Sequence, residues 1–338
     1  MTDNWNMLGH EWAVDMLQHQ IAQDSARHAY LFTGPPGVGR RTLALRFAQA
    51  LNCTQPIRPG VPCGGICREC KQIEAMQHPD LTIIQAESIG GTLKVEQIRA
   101  ARRTMMLKPF QSKYRVAIFL RFQEANDSAA NALLKTLEEA PSYVVLILTA
   151  DNTEQLLPTI VSRCEVLHLR PLSLQAVESF LKQKAGNSKP PSGQDAQLLS
   201  HISGGRPGYA LKLLQDPSAL VFRSQKLDDL QSLLSASRQG KFSYAEKLAG
   251  DRDGMRSVLM LWLSFWRDVL LRASGASGAA APIENIDRTA EIESLTKRIS
   301  LSESRRLVSD LEKALGRLEA NVNARLLAEV LLLDWPKF

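Results

Sequence analysis

The chain has 338 residues, 44% hydrophobic and 22% charged, with a formal net charge of +6 and an isoelectric point near 9.1. That length and balance predict about two or three globular domains and exclude a fibrous or largely disordered chain. The longest apolar stretches, 143–150 and 258–266, fall well short of the roughly 20 residues a membrane helix needs, and residues 1–12 carry Asp3 and Glu11 with no apolar run. Neither an export signal nor a membrane contact is expected, and the predicted location is cytoplasmic. The positive balance fits contact with polyanions, and it fits a solvated basic surface equally well.

Residues 29–33 form a short apolar run that ends in Gly34-Pro35-Pro36-Gly37-Val38-Gly39, and helical periodicity follows over 42–52, so this segment reads as strand, loop and helix. Four of the five cysteines come next, Cys53, Cys63, Cys67 and Cys70, spaced C-x9-C-x3-C-x2-C. Without an export signal, such clustering points to metal more than to disulfides. Short gaps let thiolates converge on a tetrahedral zinc at about 2.3 Å, and four sulfurs leave no position for water, so the metal expected is structural. Gly64 and Gly65 ease the turn this requires. Reduced thiols or disulfides are the alternative, and Cys164 is expected to be a buried free thiol.

Further strands are predicted at 81–85, 115–120, 143–149 and 166–169, with helices over 95–106 and 128–137. Alternation of this kind implies a mostly parallel sheet covered on both faces. After Pro171, helices over 174–185 and 195–203 lead to Gly204-Gly205-Arg206-Pro207-Gly208 and read as a small helical lid. From 209 onward strand signals vanish, leaving amphipathic helices such as 255–272, 289–299 and 302–323. The Gly, Ser and Ala-rich stretch 273–282 reads as a loop between them.

A working phosphate loop reads G-x-x-x-x-G-K-[ST]: its amides cradle phosphates, its lysine reaches the β/γ-phosphates and its hydroxyl holds magnesium. Here Arg40 takes the lysine position and Arg41 the hydroxyl position, and Thr42 is one residue late. Sliding the register to use Thr42 would require a glycine at Arg40. Hydrolases of this type also place an Asp and a Glu at the end of a neighbouring strand, for magnesium and for the attacking water. The strand at 115–120 instead runs through Leu120 into Arg121-Phe122-Gln123-Glu124, with Glu124 beyond its end. Two separate losses predict a phosphate-loop fold without hydrolysis. Gly34, Gly37, Gly39 and Arg40 can still hold a phosphate group without magnesium, or the loop is only a helix-capping turn.

Four segments together, Gly34 to Gly39, His78-Pro79-Asp80, Asn131-Ala132-Leu133-Leu134-Lys135-Thr136-Leu137-Glu138-Glu139 and Ser162-Arg163-Cys164, resemble the AAA+ clamp-loader family of bacterial DNA polymerase III over about residues 10–210. The resemblance implies an α/β P-loop (AAA+/RecA-like) domain over 1–170 with a zinc module at 53–70, a lid over 171–210 and an all-α collar for oligomerisation over 211–338. Within the family, a degenerate loop beside an intact Ser-Arg-Cys matches the members that do not hydrolyse ATP themselves. Ala140 stands where the family usually has proline, and the middle cysteine gap is one residue longer than usual. Gly208 stands where a nucleotide-sensing arginine would lie, with Arg206 displaced by two residues.

The resemblance assigns Arg163 as an arginine finger acting in trans on ATP held by a neighbouring motor (gamma/tau) subunit. It implies the motor and delta subunits as partners, the sliding clamp and primer-template DNA as contacts of the whole complex, and membership of the DNA polymerase III holoenzyme. It also places Arg99, Arg102, Arg103 and Lys108, on or near the helix at 95–106, toward DNA, where phosphate contacts would be independent of sequence. A solvated basic face is the competing account. Two other functions compete. An active motor-type ATPase is opposed by Arg41, Leu120 and Arg121, and a stand-alone zinc-containing nucleic-acid-binding protein is opposed by an aromatic content of only 6%.

Overall fold

The protein is described by a computed structural model covering residues 4–88, 90–184, 193–276, 282–319 and 322–337. It divides into two compact units, Met1–Phe180 with Gly205–Tyr209, and Leu181–Gly204 with Ala210–Phe338.

In the first unit, strands β1 (Ala29–Thr33), β2 (Leu81–Ile84), β3 (Arg115–Phe119), β4 (Val144–Ala150) and β5 (Glu165–His168) form one sheet in the order β2-β3-β4-β1-β5. Every pairing is parallel, as expected for the AAA+/RecA-like P-loop sheet. Its helices are α1 (Glu11–Ala22), α2 (Arg40–Asn52), α3 (Arg68–Glu74), α4 (Val95–Met105), α5 (Asp127–Glu138) and α6 (Pro158–Val161).

Strands β1, β3 and β4 are buried along their whole length. Alternate residues serve opposite cores, which is why these strands read as unbroken apolar runs and not as alternating ones. Tyr30, Phe32, Val116, Ile118, Val145 and Ile147 pack with α1 and α2, while Leu31, Ala117, Phe119, Leu146 and Leu148 pack with α4, α5 and α6. The register sets Thr33 beside Ala150, so the chain leaves β1 next to the end of β4.

His78-Pro79-Asp80 fixes the approach to β2. Asp80, with no solvent exposure, accepts the backbone N–H groups of Phe110, Gln111 and Ser112 at 2.7, 2.9 and 3.1 Å and pairs with Arg115 at 3.1 Å. Burial alone would push this carboxyl up, but those three amides and Arg115 outweigh it and hold it below its ordinary value. Because the folded pKa is depressed, this stabilisation is complete above about pH 4 and is lost as pH falls through the folded value. Asp80→Asn leaves Arg115 buried without its counter-charge, and a loss of about 3–5 kcal/mol is expected, read as a lowered thermal midpoint at neutral pH.

The remaining helices are α7 (Leu174–Lys184), α8 (Gly193–Ile202), α9 (Pro207–Gln215), α10 (Pro217–Ser235), α11 (Arg238–Ala249), α12 (Arg252–Ala273), α13 (Thr289–Thr296), α14 (Leu301–Glu319) and α15 (Ala324–Leu333). The core of the second unit is built on Trp262, Phe265 and Trp266 of α12, with Leu307, Leu311, Ala314 and Leu318 forming one stripe along α14. Trp335 closes it edge-on, its ring centroid 4.9 Å from that of Trp262. Among the described residues this unit contains no strand, and no helix of either unit is long and apolar enough to cross a membrane.

The expected strands are present within about a residue of their predicted ends, with β5 displaced by one. Helix α2 begins at Arg40, two residues before the predicted start, and the helix predicted over 302–323 ends at Glu319, with a separate α15 following. Residues 277–281 of the expected 273–282 loop, residues 320–321 of the expected 302–323 helix, and Ala185 at the end of the 174–185 helix lie outside the described residues.

Candidate functional site

Strand β1 delivers the chain into the glycine loop, where Gly34, Gly37 and Gly39 take φ of 145°, 85° and 120°. A side chain at Gly34 would put Cβ 2.2 Å from the Leu169 carbonyl oxygen, and one at Gly37 would put it 2.9 Å from the Tyr209 amide nitrogen. The Gly37 carbonyl accepts the Gly208 N–H at 2.8 Å. Arg40 opens α2 and is 9% exposed. Its Nη2 donates to Asp151 Oδ1 at 2.8 Å, and its Nη1 is buried with no hydrogen-bond partner among the described residues. Arg41 is exposed, with Nη2 2.7 Å from Met76 Sδ, and Thr42 also faces solvent.

At the end of β3, Leu120 is buried. Arg121 adopts the left-handed region with φ 53°; its N–H donates to Thr149 Oγ1 at 2.9 Å, and its Nε donates to Glu124 Oε1 at 2.8 Å. The same Glu124 oxygen accepts the Gly90 N–H at 2.9 Å. The acidic residue nearest this strand end is therefore engaged by a cation and an amide of its own chain.

The four clustered cysteines converge, with all sulfurs within 4.8 Å of one another and Cys63, Cys67 and Cys70 buried. Bonds of about 2.3 Å in a tetrahedron set sulfurs about 3.8 Å apart, and Cys53 and Cys67 already stand at 3.9 Å. Gly64 and Gly65, at φ 72° and 91°, make the turn between the second and third cysteines. Amides aim at the sulfurs: Cys63 N–H at Cys53 Sγ, Ile66 and Cys67 N–H at Cys63 Sγ, and Cys70 N–H at Cys67 Sγ, all between 3.2 and 3.4 Å. Burial works against the Cys63 thiolate, but its amide and thiol donors outweigh that and bring the thiol down to about 6. Burial pushes Cys53 and Cys70 up. Four convergent sulfurs with aligned amides can hold a metal ion such as zinc, and the full sulfur set suits a structural ion better than a catalytic one.

Arg163 lies in the turn between α6 and β5 and is 35% exposed. Its Nη2 donates to Glu138 Oε1 at 2.6 Å and its Nη1 to the Thr159 carbonyl at 2.9 Å. Helix α5 is capped by Asn126, whose side chain accepts the Ala129 N–H. Its buried Leu133, Thr136 and Leu137 fix the helix face, and Glu138 at its last turn meets Arg163. Cys164 is free but only half-buried, less than expected, because the turn it occupies lies partly at the surface. Burial still pushes its thiol up to about 12.

On α4, Ile98, Ala101 and Met105 face the core. Arg99 and Arg103 are exposed, Arg102 is half-buried, and Lys108 is exposed beyond the helix end. The arginines thus share the outer side of this helix. The partners of Arg40 and Arg163, Asp151 and Glu138, were not anticipated. Glu138 was in view within the Asn131 run, whereas the only sign of Asp151 was a carboxylate at a strand end.

The chain matches the protein family described as "DNA polymerase III, delta subunit" over residues 9–173. DNA polymerase III subunit delta' of Bacillus subtilis is 34% identical over 50% of this chain and 50% of its own length. Subunit tau/gamma of Haemophilus influenzae is 35% identical over 52% of this chain and 25% of its own. The chain thus spans half or less of these two relatives. Subunit delta' of Pseudomonas aeruginosa is 31% identical over 91% of both chains. With a relative matched along nearly its whole length and the loop, cysteine cluster and Ser-Arg-Cys turn in place, the chain belongs to the delta'-type clamp-loader subunits of bacterial DNA polymerase III.

Proposed function

We propose that this chain is the non-hydrolysing member of its clamp loader. It would assemble with motor (gamma/tau) and delta subunits and help load the sliding clamp on primed DNA in the cytoplasm. The observation that carries the reading is that Arg40, in the lysine position of the loop, is engaged by Asp151, while Leu120 and Arg121 occupy the acidic positions. Hydrolysis of a phosphoanhydride in such folds requires a magnesium ion held by a hydroxyl and a carboxylate, and Arg41 and Leu120 offer neither. Arg163, retained at the α6–β5 turn, would act instead on ATP in the adjoining motor subunit, stabilising charge that develops on the transferred phosphoryl group.

In the same reading, residues 1–170, 171–210 and 211–338 are the AAA+ domain, lid and collar, and the metal in the cysteine cluster is structural zinc. Arg99, Arg102, Arg103 and Lys108 would meet DNA phosphates without reading sequence. Four of the five tryptophans, Trp5, Trp262, Trp266 and Trp335, are core residues, which leaves a stand-alone nucleic-acid-binding protein short of stacking platforms. Gel filtration of the purified chain with motor and delta subunits should give one co-eluting hetero-oligomer. Separate elution of this chain at micromolar concentration would count against the proposal.

A further inference from the structure

The register of β1 against β4 brings the start of the glycine loop to Asp151: the Gly34 N–H points at the Ala150 and Asp151 carbonyl oxygens, at 3.3 and 3.1 Å. From there the Asp151 carboxylate, its side chain 19% exposed, receives Nη2 of the 9% exposed Arg40 at 2.8 Å. Arg40 is the first residue of a 13-residue helix whose N-cap, Gly39, supplies no side-chain cap. A helix start of this kind favours negative charge, and a sheltered guanidinium requires a counter-charge. The carboxylate meets that requirement from within the chain, but through one nitrogen only. Nη1 is buried and finds no hydrogen-bond partner among the described residues, so the cation retains a donor that a tetrahedral oxyanion could use and Asp151 does not.

We propose that Asp151 is a built-in anion that keeps the phosphate-type loop shut. An entering phosphoryl group would find Nη2 of Arg40 already held by this carboxylate and would have to sit beside it, against like-charge repulsion. Removing the charge at 151 removes both obstacles, leaves Arg40 without its counter-ion, and opens the loop to a phosphoryl anion with no divalent cation. The inference rests on the non-hydrolysing reading and gives its loop an active reason for staying closed.

The test uses the full chain in EDTA, titrated calorimetrically with inorganic pyrophosphate, as wild type, Asp151→Ala, Asp151→Asn and Asp151→Asn with Arg40→Ala. Asn has nearly the volume of Asp, so it covers the case in which the alanine variant does not fold. The folded 151 variants should bind pyrophosphate at least about tenfold more tightly than wild type, since a charge-assisted pair with Arg40 becomes available, and the added Arg40→Ala should remove that gain. Absence of a gain in folded Asp151→Asn, equal binding by wild type, or a gain that survives loss of Arg40 would each overturn the proposal. Magnesium-ATP turnover by wild type, measured in parallel, would overturn the non-hydrolysing reading instead, so the two failures are distinguishable.

Discussion

Replacing Arg163 with alanine should leave a folded, assembling chain and slow ATP-dependent clamp loading in the reconstituted complex, with the adjoining ATP site losing about 10³–10⁵ in rate, as for known arginine fingers. The contacts Arg163 makes within its own chain would not oppose that role. In the isolated chain Arg163 is held by Glu138 at 2.6 Å and by the Thr159 carbonyl, but it is 35% exposed and its partner 49%. Such surface pairs are worth about 0–1 kcal/mol, whereas a finger supplies about 4–7 kcal/mol of transition-state stabilisation. Leaving Glu138 for a phosphoryl group would therefore cost little beside the gain a finger supplies. Arg163→Lys keeps the charge but not the planar fork and should recover only part of the rate. Loading kinetics unchanged in Arg163→Ala would remove the proposed role.

The second large effect is expected at the cysteine cluster. Serine at Cys63 or Cys67 removes one of the four sulfurs that would hold the proposed zinc, an ion that in small zinc-binding peptides contributes about 10–16 kcal/mol of binding free energy. Loss of the ion should release the segment around residues 53–75, because Cys67 caps α3 by accepting the Cys70 N–H. The Gln49 side chain of α2 also reaches the Cys70 carbonyl and Glu74 at 2.8 and 2.9 Å. The expected results are about one zinc per wild-type chain in reducing buffer, less in the serine variants, and a lowered thermal midpoint on chelation. Well under one zinc per wild-type chain would contradict the assignment.

What could be read ahead follows from burial. Strands β1, β3 and β4 are apolar on both faces and stood out from their surroundings, and α4 and α5 showed one apolar side each. Helix α1 was missed because it starts after His10 in the left-handed region with no side-chain cap, so the usual Ser, Thr, Asp or Asn signal is absent. Helices α3 and α6 have seven and four residues, too short for a period to emerge. The break before α15 did carry a sign: Asn323 caps it by accepting the Leu326 N–H. At the candidate sites, the loop and the cysteines were identifiable from local spacing, whereas Arg163 was singled out only by the family resemblance of Ser162-Arg163-Cys164. Asp151 was not, since its pairing with Arg40 depends on β4 lying beside β1, and strand order is a long-range property that spacing does not encode. Glu138 was visible within its motif, but its contact with Arg163 requires the packing of α5 against α6.

Steady-state ATP hydrolysis by the purified chain, with magnesium and primed DNA present and no other subunit, tests the central claim most directly. With Arg41 and Leu120 unable to hold the metal and Arg40 bound to Asp151, turnover should not exceed the buffer background. A rate in the range of an ordinary AAA+ motor, about 1 per second or more, would contradict the account.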